Sequence, residues 1–131
     1  MTKVAQQYLD VEPWLVRESG LHPERAKVSE SIFSLANEFM GVRGYFEEGY
    51  GGERMVGSFF NGVFEDKNLS QMPAFSFRGM IDRSHGIANA VDWLHMRISV
   101  DGETLDLAES AFSEFVRQTD MKTGLMSRSF I

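Results

Sequence analysis

The fold of this chain is decided by the stretch Glu30–Glu48, ESIFSLANEFMGVRGYFEE. It contains two short apolar runs separated by a polar step centred on Asn37, a residue type that tolerates positive φ and favours tight connections. Gly41 and Gly44 argue against a continuous helix, because a glycine inside a helix costs about 1 kcal/mol relative to alanine. The stretch therefore predicts a β-hairpin with a glycine-rich exit.

Length and composition limit the classes of protein to which the chain can belong. Its 131 residues fit one domain that can bury a core without covalent staples. The absence of cysteine excludes disulfides and thiolate metal sites, and a net charge of −6 disfavours nucleic acid or an anionic membrane as a partner. The N-terminal residues 1–7 lack the apolar segment of a signal peptide, so a cytoplasmic location is expected.

The first half of the chain predicts short strands joined by turns. Residues 1–12 are polar and predict an arm, and Trp14-Leu15-Val16 predicts a first strand. The segment 24–30 is consistent with one helical turn or with a simple lead into the hairpin. Residues 55–64 predict two short strands around Asn61-Gly62, since both of these residues accept positive φ in a tight turn.

The second half predicts a long excursion followed by a hairpin and a last strand. Residues 65–90 lose their periodicity and predict a surface excursion of about 25 residues, a length typical of functional loops. Alternation over 93–100 predicts a strand that pairs with 103–107 through Asp101-Gly102. The segment 108–117 is consistent with either a helical turn or an irregular crossing. Residues 123–131 predict a final strand, within which the chain stops, so we expect a longer polypeptide.

Short strands and glycine turns together predict an all-β sandwich. Adjacent residues of a strand point to opposite faces, so Glu47 and Glu48 are expected to be solvated and not to form an acid–base pair. Arg43 lies between two glycines that allow close approach of a backbone or a ligand. An ion pair between Arg43 and a nearby glutamate is favoured over direct ligand binding.

The histidines, the glycine-rich loop and the aromatic residues do not define a binding or catalytic site that the sequence alone can assign. His22, His85 and His95 lack the spacing of zinc ligands, and no metal site is predicted. The glycine-rich loop Gly49–Gly52 is interpreted as a flexible loop, since neighbouring glutamates would repel phosphate. Three aromatic residues allow either a sugar-stacking platform or core and rim packing, with packing favoured: Trp14, Trp93 and Tyr45. No catalytic residue is assigned, and the substrate-binding residues are unknown.

Four motifs occur in an order that resembles a known family. They are residues 37–48 (NEFMGVRGYFEE), 57–64 (GSFFNGVF), 89–93 (NAVDW) and 120–130 (DMKTGLMSRSF). They are similar to the opening part of the family 65 glycoside phosphorylases, which include the maltose, kojibiose and trehalose phosphorylases. In the first motif this chain has Glu38 where the family usually has glycine, and the last motif is one residue shorter between its glycine and leucine.

The resemblance implies a particular place in a larger enzyme. Family members have an N-terminal antiparallel β-sandwich (a galactose mutarotase-like supersandwich), a helical linker, a catalytic (α/α)6 barrel and a small C-terminal β domain. They cleave an α-glucosidic bond with phosphate and release β-glucose 1-phosphate with inversion, using a barrel glutamate as general acid. Residues 1–131 then form part of the sandwich, without the barrel and without catalysis of their own.

The resemblance also carries expectations for partners. It implies a disaccharide and inorganic phosphate as substrates of the full-length enzyme, no further cofactor, and a homodimer. If any segment here reaches substrate, residues 65–90 or Gly49–Gly52 are the expected ones. The alternative hypothesis is a free-standing carbohydrate-binding or protein-interaction β-sandwich.

Overall fold

The structure is a computed structural model that describes residues 8–55, 57–68 and 82–131. Ten strands and one helix occur in the described residues. In chain order they are β1 (Leu9–Val11), β2 (Leu15–Ser19), α1 (Ala26–Ile32), β3 (Leu35–Ala36), β4 (Met40–Val42), β5 (Ser58–Asn68), β6 (Arg83–Asn89), β7 (Ser99–Val100), β8 (Glu103–Thr104), β9 (Val116–Asp120) and β10 (Leu125–Ser129). A 3-10 turn at Pro23–Arg25 precedes α1.

The first sheet joins the two ends of the described chain. Its strand order is β1-β2-β9-β10, with every pair antiparallel. The predicted first strand is found at Leu15–Ser19, and the predicted final strand is confirmed at Leu125–Ser129. The interpretation of residues 1–12 as a polar arm was wrong over Leu9–Val11, because Leu9 pairs with Glu18 and forms an edge strand.

The second sheet, in the order β3-β4-β5-β6, contains the central hairpin. The turn is confirmed: the Asn37 side chain accepts hydrogen bonds from the backbone amides of Phe39 and Met40, at 2.8 and 2.9 Å. The hairpin is shorter than the pattern suggested. The first apolar run, Ile32 and Phe33, lies at the end of α1, where it packs as part of a helix and not as a strand.

Asn61-Gly62 does not form a turn, so the prediction of two strands there was wrong. The segment is one continuous strand, β5, in which Gly62 takes a φ of +81°. The pairing with β6 shifts between Phe59, opposite Asn89, and Phe64, opposite Ile87. The positive φ of the glycine therefore accommodates a β-bulge, which uses the same conformational freedom as a hairpin turn.

The predicted excursion over 65–90 is partly strand. Its two ends belong to β5 and β6, while 69–81 lies outside the described residues. The predicted strand over 93–100 was wrong except at Ser99–Val100, because residues 93–98 run irregularly. The Asp101-Gly102 turn between β7 and β8 is confirmed, with both residues at positive φ.

The hydrophobic core lies where the irregular segments cross. Its buried residues are Ala26, Phe46, Tyr50, Leu107 and Phe115. Phe46 packs against Tyr50 and Phe115, with ring centroids 5.0 and 5.9 Å away. Of the two interpretations of 108–117, the irregular crossing is the one observed up to the start of β9. This crossing carries Leu107 and Phe115 into the core.

Candidate functional site

Arg117 is the largest fully buried side chain in the described part of the chain. It lies on β9, and its guanidinium donates to Oε2 of Glu18 on β2 through Nε at 2.9 Å and Nη2 at 2.5 Å. Both side chains are 1% exposed. Arg117 Nη1 donates to the carbonyl of Gly44 at 2.9 Å, and Ser29 Oγ donates to Oε1 of Glu18 at 3.1 Å. Arg117 thus joins the first sheet to the exit of the central hairpin.

Aromatic rings enclose this guanidinium. The Arg117 carbon Cζ lies 4.6 Å from the ring centroid of Phe33 and 4.9 Å from that of Phe46. Arg128 lies over the same Phe46 ring at 5.5 Å. Cation–π contacts of this kind become stronger when the ion is removed from water. Phe46 therefore contacts two guanidinium groups, that of the fully buried Arg117 and that of the partly buried Arg128.

Arg128 binds the two adjacent glutamates that end the central stretch. Its Nε and Nη2 donate to the Glu48 carboxylate at 2.9 and 2.7 Å, Nη1 donates to the carbonyl of Tyr45 at 3.1 Å, and Nη2 also pairs with Glu47. The prediction that both glutamates are solvated on opposite strand faces was wrong. They lie in a turn, which directs both carboxylates to one guanidinium.

Burial acts on the pKa values of this group. It raises the pKa of the Glu48 carboxyl, although a backbone hydrogen bond and the charge of Arg117 partly offset it. Burial also lowers the pKa of Arg128 to about 10, which leaves the guanidinium charged at neutral pH. Two carboxylates and one cation give this turn a formal charge of −1.

Arg43 makes the predicted ion pair. Its Nε lies 3.5 Å from Oε2 of Glu30, whose side chain is almost fully buried. Arg43 Nη2 donates to Ser31 Oγ at 2.6 Å, and the same Glu30 oxygen accepts the backbone amide of Met55 at 2.8 Å. These contacts use the guanidinium to fix the hairpin on α1, as the structural interpretation predicted.

The loop Gly49–Gly52 is held at several points, which corrects its interpretation as flexible. Tyr50 is buried in the core, and the carbonyl of Gly49 accepts the amide of Leu107 at 3.1 Å. Oδ1 of Asp106 accepts the amides of Gly51 and Ala108, each at 2.8 Å. These two amides lower the pKa of Asp106 below its usual value.

We expect Asp106→Asn to flatten the acid dependence of stability. A carboxyl whose pKa is lowered in the folded state stabilises the protein above its usual pKa of about 3.9, and this contribution is lost as the pH falls through the folded-state value. The variant should unfold more easily in urea at neutral pH and match the wild type near pH 2.

Asp101→Asn is the control for this experiment, because it removes an exposed carboxylate for which the described residues provide no hydrogen bond. It should change the free energy of unfolding at neutral pH by less than about 0.5 kcal/mol. A slope that is unchanged in Asp106→Asn would contradict the role given to this carboxylate.

A cleft of about 460 Å³ opens between the central hairpin and the turn that joins β9 to β10. Its walls include Leu35, Asn37, Met40, Arg43, Glu47, Trp93 and Met126. The Trp93 side chain is 49% exposed. The preceding residue, Asp92, accepts a hydrogen bond from the hydroxyl of Tyr45, which is itself buried. The aromatic wall is thus anchored to the core.

The structure separates the three aromatic residues proposed as a sugar-stacking platform. Tyr45 is buried, and burial together with Asp92 raises the pKa of its hydroxyl. Trp14 is 54% exposed on the first sheet, where Lys122 lies 5.7 Å from its ring. No ring contact joins Trp14, Trp93 and Tyr45 within the described residues. Of these three residues, Trp93 lines the cleft described above, whereas Tyr45 packs in the interior. The hypothesis of a sugar-stacking surface therefore applies to Trp93 and not to Tyr45.

The histidines also lie apart. His22 is near the carbonyl of Ser19 at 3.2 Å, while His85 pairs with Asp66 across β5 and β6. His95 follows Asp92, whose carboxylate accepts its backbone amide at 3.1 Å. In the described ranges no three potential ligands gather at a metal-binding distance.

Sequence reasoning missed the buried partners of the central stretch, namely Glu18, Arg117 and Arg128. The local signal was weak, because each is a charged residue in a short strand and lies next to at least one other polar residue. Their pairing depends on sequence separations of 80 to 99 residues. No local pattern fixes such a pairing.

Comparison with known proteins gives the class to which this fold belongs. The family model for the N-terminal domain of glycosyl hydrolase family 65 matches residues 16–131, and the chain belongs to that family. The all-β expectation, the opening part of an antiparallel β-sandwich, is thereby confirmed. Within the described residues no helix is long and apolar enough to cross a membrane.

Particular relatives are phosphorylases. The chain is 32% identical over 129 residues to maltose phosphorylase of Bacillus subtilis strain 168, covering 98% of this chain and 17% of that relative. It is 38% identical over 120 residues to kojibiose phosphorylase of Thermoanaerobacter brockii, covering 92% and 14%. A solved structure assigned as a kojibiose phosphorylase from the human microbiome is 40% identical, with a TM-score of 0.80 over 94% of this chain and 16% of that one.

Proposed function

We propose that this chain is the non-catalytic N-terminal domain of an inverting disaccharide phosphorylase. The observation that supports it most directly is the match of residues 16–131 to the N-terminal domain of a family whose similar members are phosphorylases of maltose, kojibiose and trehalose. The chain spans 14–17% of the length of the maltose and kojibiose phosphorylases compared above.

The geometry supports a structural role for the residues of the central stretch. The carboxylates of Glu30, Glu47 and Glu48 each pair with an arginine. A general acid must be free to donate a proton to the leaving oxygen. Glu30 instead fixes the hairpin exit to α1, and Glu47 and Glu48 fix it to the first sheet through Arg128, as a scaffold requires.

The proposal also covers the substrates, cofactor, location and oligomeric state of the complete enzyme. Disaccharide and inorganic phosphate are the substrates of the complete enzyme, phosphate is its co-substrate with no further cofactor, and the enzyme is a cytoplasmic homodimer. Apolar side chains exposed on the β5–β6 ribbon support further assembly, since contiguous exposed apolar surface marks interfaces. They include Phe60, Phe64 and Ile87.

A chimera tests the proposal. This chain replaces the matching 120 residues of the Thermoanaerobacter brockii kojibiose phosphorylase, and release of β-glucose 1-phosphate from kojibiose and phosphate is followed by phosphorus NMR. We expect activity in the chimera and none in the 131-residue chain alone with maltose, kojibiose, nigerose or trehalose. Turnover by the chain alone, or a folded chimera without activity, would contradict the proposal.

A further inference from the structure

We propose that the cleft at Trp93 is a binding site for one ring of a neutral saccharide. Its volume of about 460 Å³ lies within the range of small-ligand pockets, roughly 300–1,000 Å³. Aliphatic side chains and two aromatic residues, Phe33 and Trp93, line most of it, with a few polar groups among them. The choice of α-glucosides as probes rests on the proposed function, whereas the site itself rests on the geometry.

The indole of Trp93 provides the stacking surface. It is half exposed in the cleft wall, and within the described residues its N–H makes no hydrogen bond. The segment that carries it is held through Oδ1 of the preceding residue, Asp92, which accepts both the buried Tyr45 hydroxyl and the amide of His95. A fixed aromatic face loses little conformational entropy when a sugar ring packs against it.

Two polar groups in the lining of the same cleft, on Asn37 and Glu47, are available to hydroxyl groups of a ligand. Oδ1 of Asn37 is occupied by two backbone amides, while the Nδ2 donor has no partner in the described part of the chain. Glu47 pairs with Arg128 through Oε2, which leaves Oε1 as an acceptor. A pyranose hydroxyl both donates and accepts hydrogen bonds, so one donor and one acceptor beside an aromatic face match its chemistry.

The charge of the cleft selects a neutral ligand. The guanidinium of Arg43 is directed to Glu30, Ser31 and the carbonyl of Lys27. Glu47, the other charged residue of the wall, pairs with Arg128, so the wall carries one positive and one negative side chain, each already paired. A phosphate group would therefore meet no guanidinium in this wall that lacks a carboxylate partner. We expect a neutral saccharide to bind here more tightly than a sugar phosphate.

The test measures binding of maltose to the 131-residue chain by calorimetry. It also measures the fluorescence of a Trp14→Phe variant, in which Trp93 is the one remaining tryptophan. We expect saturable binding with a shift of the Trp93 emission, and an affinity lower by roughly tenfold in Trp93→Ala. Trp14→Ala is the matched control, since Trp14 is equally exposed but lies on the first sheet, and it should bind maltose as the wild type does.

A second variant keeps the test decisive if Trp93→Ala does not fold. Asn37→Asp retains an oxygen that closes the turn and replaces the amide donor with a carboxylate oxygen, so we expect affinity for maltose to fall about fivefold. Absence of saturable binding, an equal loss in Trp14→Ala, or equal affinity for glucose 1-phosphate would overturn the proposal. An active chimera that binds no maltose at this cleft would overturn the site and leave the proposed function intact.

Discussion

Arg117→Met should lower the free energy of unfolding by about 3–5 kcal/mol, because it leaves the Glu18 carboxylate buried without its cation. Glu18 would retain only the hydroxyl of Ser29 among the contacts described above. The substitution also removes the donor to the Gly44 carbonyl and the cation between the rings of Phe33 and Phe46. The loss is a large part of the 5–15 kcal/mol typical of a domain, and urea denaturation measures it.

Arg17→Met is the matched control. Arg17 precedes Glu18 on β2, so it points to the opposite face of the same sheet, where it pairs with the exposed Asp10 at 3.5 Å. A surface ion pair contributes about 0–1 kcal/mol, and we expect a loss in that range. In the double variant Glu18→Leu/Arg117→Met the uncompensated charge is gone, and stability should recover above that of Arg117→Met alone. Equal losses in Arg17→Met and Arg117→Met would refute the assignment.

The parts of the fold that sequence predicted are those decided within a few residues. The Asn37 turn and the Asp101-Gly102 turn were both found, since each depends on residues that accept positive φ or bind their own backbone. Asn61-Gly62 shows the limit of this reasoning. The same conformational freedom produces a bulge when the strand continues with a partner, and β6 is a partner that the local sequence does not reveal.

In the candidate site, too, a contact between residues close in sequence was predictable, and contacts between distant residues were not. The Arg43–Glu30 pair was predictable because 13 residues separate them. The turn at Glu47-Glu48 was misjudged because a strand was assumed, which placed the two carboxylates on opposite faces. The partner of both, Arg128, lies on the last strand, and its contact depends on how the first sheet packs against the hairpin exit. Long-range packing of this kind carries no signature in one sequence.

Gly44→Ala should cost about 3 kcal/mol, because the added methyl group has no space. A Cβ at this position would lie 2.4 Å from the carbonyl oxygen of Phe33 and 2.7 Å from its Cβ. The obstacle is backbone at the end of α1, so no side-chain rotation relieves it. Any shift of Gly44 also disturbs its amide, which donates to the carbonyl of Glu30 at 2.9 Å, and its carbonyl, which accepts from Arg117.

Gly86→Ala is the control for this effect. Gly86 lies on β6 with nothing within 4 Å of an added Cβ, so we expect a change in unfolding free energy below about 0.5 kcal/mol. Thermal and urea denaturation of both variants measure the difference. A similar loss of unfolding free energy in Gly44→Ala and Gly86→Ala would show that alanine acts through the backbone conformation at both positions, and not through a steric clash with Phe33. A large loss confined to Gly44→Ala would establish that the glycine beside Arg43 serves the approach of a backbone, the Phe33 carbonyl, and not that of a ligand.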